Sequence, residues 1–187
     1  ARIDATDPTG TAALGRFDRV LVDAPCSGLG TLRRNPEIRW HLTEQKLEGF
    51  APLQGRILAN AAACVKPGGV LLYSTCSVMF EENDGVVAAF LQTHPDFSPA
   101  RPEASFPAGV VDETGAFRTF PHRQGTDGFF GALLVRRYGF SAEPVGVDVS
   151  APASDGASIG VETVRFVPGV SGGDAWRLQA TDEGLRS

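Results

Sequence analysis

Two short apolar runs, each ending in a turn that carries a cysteine, dominate the hydrophobic pattern of this chain. Residues 17–22 and 70–73 are rich in Val and Leu and bounded by turn residues, which predicts two buried strands. Between them, residues 53–65 place apolar side chains at Leu53, Ile57, Leu58, Ala61, Ala62 and Val65, the spacing of one helical face. Pro52 suits the first position of that helix, and Lys66-Pro67-Gly68-Gly69 stops it. Strand, helix, strand predicts a parallel pair, because parallel strands need a crossover. Parallel strands bring their carboxyl ends to one edge of an open sheet, where ligands bind. Cys26 and Cys76 follow the two strands. Both thiols are therefore expected at one crevice, on strands about 4.8 Å apart, with their sulfurs within roughly 10 Å.

The rest of the pattern is less regular. Arg2–Ile3 predicts a strand end leading into Asp4, and residues 31–51 predict a loop or broken helix interrupted at Pro36 and Gly49. A helix follows Asn83, its expected cap, with Val86, Val87, Phe90 and Leu91 as its buried stripe and His94-Pro95 as its end. Residues 95–120 are Pro-rich and read as irregular, and residues 127–137 predict a further strand. From Ser141 the composition shifts to Gly, Ser, Ala and acid. The chain thus divides into a body, residues 1–140, and a tail, residues 141–187. The tail holds expected short strands at 163–167 and 176–178, or is partly disordered.

Composition narrows the class. With 187 residues, 42% hydrophobic and 21% charged, the chain has enough for one globular domain with a modest core. Neither a run of about 20 apolar residues nor a basic-then-apolar leader is seen, so no membrane association is expected. Three cysteines without CxxC spacing argue against a disulfide scaffold or a zinc site and fit a cytoplasmic protein. The net charge of −5 weighs against nucleic acid, yet the tail carries three basic and seven acidic groups and so most of that excess. The body is nearly neutral, with local basic stretches at residues 33–40 and 121–123 that can face phosphates.

Single cysteines after strands are commonly structural, and Cys64, on the apolar helical face, is read that way. Cys26 and Cys76 differ in their flanks. Asp23-Ala24-Pro25-Cys26-Ser27-Gly28 sets a carboxylate, a rigid proline and a thiol in four successive positions, and Ser74-Thr75-Cys76-Ser77 surrounds a thiol with hydroxyls. A thiolate stabilised by nearby donors is a strong nucleophile.

Taken in order, DAPCSGLG, RRNPEIRW, YSTCS with EEN five residues after its cysteine, and TDGFFGALL resemble the Sun/RsmB-type RNA (cytosine-5)-methyltransferases over about residues 1–137. The resemblance implies a Rossmann-like class I methyltransferase fold, α/β with a mostly parallel sheet. It implies methyl transfer from S-adenosylmethionine to carbon 5 of cytosine in rRNA or tRNA through a covalent cysteine adduct. On that basis Cys76 is the nucleophile and Cys26 the second thiol, assisting proton removal or product release. Asp4 and Asp23 contact the cofactor, and the Pro25 carbonyl lies near the cytosine amino group. Arg33, Arg34, Arg39 and His122 are the expected RNA contacts, and Trp40 is weighed between stacking and a core anchor, the anchor being favoured. The family's cofactor loop and first strands lie upstream of what is seen here. The chain is therefore expected to resemble the second half of a catalytic domain, with its missing half in the same or another polypeptide. Strand 17–22 is then expected to keep an unpaired edge, so that the isolated chain self-associates or misfolds, binds S-adenosylmethionine weakly or not at all and is inactive. A non-catalytic RNA-binding or assembly module, and a thiol hydrolase pairing Cys76 with His122, are the alternatives.

Overall fold

The computed structural model describes residues 2–102, 106–139, 163–167 and 176–181. Among these, eight strands form one sheet: β1 (Arg2–Ile3), β2 (Phe17–Asp23), β3 (Val65–Thr75), β4 (Phe97–Ala100), β5 (Phe117–Thr119), β6 (Phe129–Arg136), β7 (Thr163–Val167) and β8 (Trp176–Thr181). Their order is β1-β8-β7-β2-β3-β6-β4, with β5 also on β6. β2 runs parallel to β3, as the strand–helix–strand pattern requires, and parallel to β7; the flanking pairs are antiparallel.

The helices are α1 (Pro8–Ala12), α2 (Ile38–His41), α3 (Glu44–Ala63), α4 (Asp84–Thr93) and α5 (Pro121–Gln124). Alternation along the strands sends Val20, Val22, Leu71, Tyr73 and Leu134 to one face, where they are sealed with Ile57, Leu58 and Ala61 of α3 and Val86 and Phe90 of α4. Each such large side chain contributes about 1.5–3 kcal/mol on burial. The opposite face carries Leu21, Leu72 and Leu133, only half-buried. A groove of about 380 Å³ there is lined by Leu72, Ser74, Phe106, Phe117, Phe129 and Leu133 among others.

Several expectations are corrected. The crossover helix begins at Glu44, well before Pro52, with the Thr43 hydroxyl capping Lys46 N–H at 3.3 Å. Pro52 sits inside α3 on its exposed side, where the Glu48 carbonyl that loses a donor belongs to another exposed residue. Lys66-Pro67-Gly68-Gly69 lies within β3 as an irregularity, the register to β2 shifting between Phe17↔Val65 and Arg19↔Val70. The Pro-rich stretch holds β4 and β5, short strands held by β6 and too brief to show a period. The free edge expected on β2 is covered: Arg19 to Val22 pair with Thr163 to Phe166 of β7. Unpaired backbone groups are a template for any available strand, and the tail supplies one.

Candidate active site

The ladder between β2 and β3 ends with Asp23 opposite Ser74, and Ala24 N–H to the Ser74 carbonyl (2.8 Å) extends it by one residue. Beyond this point both chains turn. Gly28 takes φ +71°, the left-handed region that favours glycine, and opens a tight 3-10 turn at Leu29–Thr31. Gly30 then slides between two backbones, its N–H donating to the Cys76 carbonyl at 2.9 Å and its carbonyl accepting from Gly128 N–H at 2.8 Å. A Cβ on Gly30 would stand 2.1 Å from the Gly128 oxygen and 2.7 Å from the Cys76 oxygen, so only glycine fits. The two turns are thereby stitched together, and the Cys26 and Cys76 sulfurs lie 3.2 Å apart. The shared crevice expected from parallel strands is present, and the sulfurs are much closer than the strand spacing alone required.

That contact separates the two thiols electronically. Cys26 is pushed far up from the ordinary value of 9.0, first by its hydrogen bond to Cys76 and then by burial. Cys76 is shifted down, chiefly because Cys26 donates to its sulfur, against burial and the negative charges of Asp23 and Glu82. Of the two thiols Cys76 is therefore the one that ionises first, while Cys26 holds its proton, and the thiolate is the form that attacks electrophilic carbon. Cys64 is unrelated to this pair: it is fully buried, and its sulfur meets the Thr11 carbonyl at 3.3 Å.

Beneath the cysteines lies a buried polar cluster that sequence reading did not assign to the site. The Glu82 carboxylate, 1% exposed, accepts from Ser27 N–H (2.8 Å), Gln54 Nε2 (3.0 Å) and Ser77 Oγ (2.6 Å). Gln54 Nε2 also donates to the Pro25 carbonyl at 2.7 Å. Tyr73 donates to the Glu82 carbonyl at 2.6 Å, and the Ser27 and Ser77 hydroxyls meet at 3.1 Å. Asn83 stands at the start of α4, but its side chain does not cap the helix. It accepts from Thr75 Oγ1 at 2.6 Å and donates to the Ser77 carbonyl at 3.0 Å, because the buried turn there has groups to satisfy. Two signals could have found this cluster: Gln54 is a polar residue one turn ahead of Ile57 and Leu58 on the buried stripe, and Glu82 lies in the EEN segment.

Asp23 ends β2, its Oδ1 3.4 Å from Ser74 Oγ, and the Pro25 carbonyl, one residue before Cys26, is held by Gln54. Asp4 follows β1 on the surface, its carboxyl held low by Thr6, first through the hydroxyl and then through the N–H. Arg33 and Arg34 reach back to the buried Asp127 at 3.3 and 2.7 Å while their side chains stay 57% and 70% exposed. Asp127 thus ties the basic segment to the turn before β6. Arg39 is exposed on α2, and His122 is exposed on α5 with its ring 5.5 Å from that of Phe120. Trp40, favoured as a core anchor, is 80% exposed; the four-residue α2 lies ahead of α3, outside the layer packed on the sheet.

Comparison with known proteins places these features. The profile of the 16S rRNA methyltransferase RsmB/F family matches residues 1–135. Ribosomal RNA small subunit methyltransferase B of Salmonella arizonae is 41% identical over 122 residues, covering 65% of this chain and 26% of that protein. Its counterpart in Erwinia tasmaniensis is 39% identical over 134 residues, covering 72% and 30%. The structure of NSun6 from Pyrococcus horikoshii with SFG superposes with a TM-score of 0.59 at 28% identity, over 70% of this chain and 33% of that one. The chain spans between a quarter and a third of the length of these relatives. Its fold is the Rossmann-like class I methyltransferase fold, and the chain belongs to the 16S rRNA methyltransferase RsmB/F family.

Proposed function

We propose that this chain forms the two-cysteine edge of an S-adenosylmethionine-dependent RNA (cytosine-5)-methyltransferase acting in the cytoplasm on rRNA or tRNA. The observation that carries the reading is the 3.2 Å contact between Cys26 and Cys76; the opposite shifts of the two thiols, Cys26 up and Cys76 down, make Cys76 the one that ionises first. Carbon 5 of cytosine is a poor nucleophile. A thiolate adding to carbon 6 turns the ring into an enamine that is nucleophilic at carbon 5. Cys76 supplies that thiolate, and its elimination later restores the aromatic ring. The carbon-5 proton passes to solvent before elimination; Cys26, which starts protonated, assists in its removal only once its own proton has been given up, and otherwise assists release of product by donating to the departing Cys76 sulfur. The Pro25 carbonyl has a second lone pair beyond the one used by Gln54 and accepts from the exocyclic amine, which uracil lacks.

The residues present suit S-adenosylmethionine, a cation carrying an amine-bearing purine. Asp23, beside the thiols, faces its methionyl part, and the ionised Asp4 accepts from its adenosine part. When bound, the cofactor supplies an electrophilic methyl group. Arg33, Arg34, Arg39 and His122 form the RNA-facing surface, with the exposed Trp40 offering a ring on which a base stacks. Cys76 hydrogen-bonds Cys26 rather than a histidine, which favours this reading over hydrolysis through His122.

Denaturing electrophoresis of the full-length gene product with 16S rRNA and S-adenosylmethionine tests the assignment. Cys76→Ala is expected to abolish both adduct and methyl transfer. Cys26→Ala is expected to leave protein covalently trapped on RNA. Adduct from Cys76→Ala with none from Cys26→Ala would reverse the two roles.

A further inference from the structure

Glu82 is a buried acid with no part in the proposed bond-making steps, and its position is specific. Ser27 follows Cys26 and Ser77 follows Cys76, and one carboxylate accepts from both. Its third donor, Gln54, is the residue that holds the Pro25 carbonyl. Among the described residues, Gln54 Oε1 is buried without a hydrogen-bond partner. Its amide is thus turned so that its single NH₂ group serves both Glu82 and Pro25, at the expense of its own oxygen. A carboxylate sealed from water is costly unless donors replace its hydration. Here all three donors come from the groups that must be aligned: the two cysteine turns and the residue behind the base-reading carbonyl.

We propose that Glu82 is a positioning residue that clamps the Cys26 turn against the Cys76 turn, so that the Cys26 thiol donates to the Cys76 sulfur, and that aims the Pro25 carbonyl through Gln54. The inference rests on the reading of Cys76 as the nucleophile. It has a signature that simple proximity lacks. Glu82 is negative, and together with Asp23 it opposes charge on Cys76. Tyr73 faces Cys26 from β3. If Glu82 acted only through its charge, removing it would make Cys76 more reactive at neutral pH. If it acts by position, removing it frees the turns, Cys76 loses its donor, and reactivity falls.

The test is alkylation of the full-length gene product by iodoacetamide, followed cysteine by cysteine with peptide mass spectrometry between about pH 6 and 10. In the unaltered protein Cys76 reacts fastest and titrates below an ordinary thiol. Glu82→Ala is expected to slow Cys76 about tenfold at pH 7, the consequence of a one-unit rise in its titration midpoint. Glu82→Gln restores the fast reaction. Its oxygen can still accept from Ser27 and Gln54, while its amide donates to Ser77, whose hydroxyl turns to Ser27. Cys64 serves as the folding control, since it reacts only if the chain opens. Should Glu82→Ala expose Cys64, the double variant Gln54→Met with Ser77→Ala removes two of the three ties and is expected to slow Cys76 in the same way. Unchanged or faster Cys76 alkylation in a folded variant overturns the clamp. Cys76 reacting no faster than Cys26 in the unaltered protein overturns the nucleophile reading itself.

Discussion

The cysteine edge and the basic segment at residues 33–40 are joined by a few residues of chain, yet the fold treats them in opposite ways. At the edge, the polar groups beneath the two sulfurs are enclosed and hydrogen-bonded to one another, Gln54 Oε1 excepted, and Glu82, Ser27, Ser77 and Asn83 are all buried. In the basic segment Trp40 is 80% exposed, and Arg33 and Arg34 stay more than half exposed while their guanidinium groups reach Asp127. On the proposed function, the difference separates chemistry from capture. A thiol is tuned by close donors in a low-dielectric surrounding, so its neighbours must be rigid. Binding an irregular RNA surface needs charge and a free ring, which a packed core would remove.

The comparison is most severely tested where the two regions meet. Gly30 leads from the cysteine turn to the basic segment, and Gly30→Ala forces a methyl group into the Cys76 and Gly128 carbonyls. We expect a loss of about 3 kcal/mol of stability in urea unfolding, with backbone shifts rather than side-chain adjustment. An Ala variant as stable as the parent would show that the stitching of the two turns is dispensable.

Alkaline titration sharpens the contrast, because the basic segment holds no thiol while the cysteine edge holds two that shift in opposite directions. The Cys76 thiol is lower in the folded chain than in the unfolded one, so its contribution is complete above the unfolded value of 9.0 and is lost as pH falls through the folded value. Cys26 is raised, so its contribution is complete below 9.0 and is lost as pH rises beyond it. Together they raise stability toward pH 9.0 and lower it thereafter, by about 1.4 kcal/mol per pH unit for the one retained proton. Cys64 and Tyr73, both also raised by burial, add to the loss above their ordinary values of 9.0 and 10.0. Cys26→Ala should flatten the fall just above pH 9.0, which pH-dependent unfolding by fluorescence would show.

Asp127→Asn probes the tether. The partners are more than half exposed, so solvent screens most of the attraction, and about 1 kcal/mol of stability is expected to go. The larger consequence is a looser Arg33–Arg34 segment, visible as faster proteolysis there, while Cys76 alkylation stays as it was. The mildest change is Trp40→Ala. At an exposed site it should alter stability by less than about 0.5 kcal/mol while weakening RNA retention in filter binding. Strong destabilisation would return Trp40 to the core.

By itself the sequence determined what depends on local chemistry: the two strands, a helix between them, the parallel pairing that follows, and two cysteine turns at one sheet edge. Those signals are local because alternation, turn residues and capping act over a few positions. It also contained the segments that carry the family resemblance. Only the tertiary structure decided how far α3 reaches past Pro52, since packing on the sheet outweighs a proline whose lost hydrogen bond faces outward. Only it paired the tail strand β7 with β2, a long-range contact that no local pattern encodes. The same holds for the site. Cys26 and Cys76 were legible because each sits in a distinctive turn. Glu82 and Gln54 were not, because a carboxylate in a turn and an amide on a helix ordinarily face water. What sets these two apart is the set of donors and acceptors brought to them by segments 28 and 55 residues away.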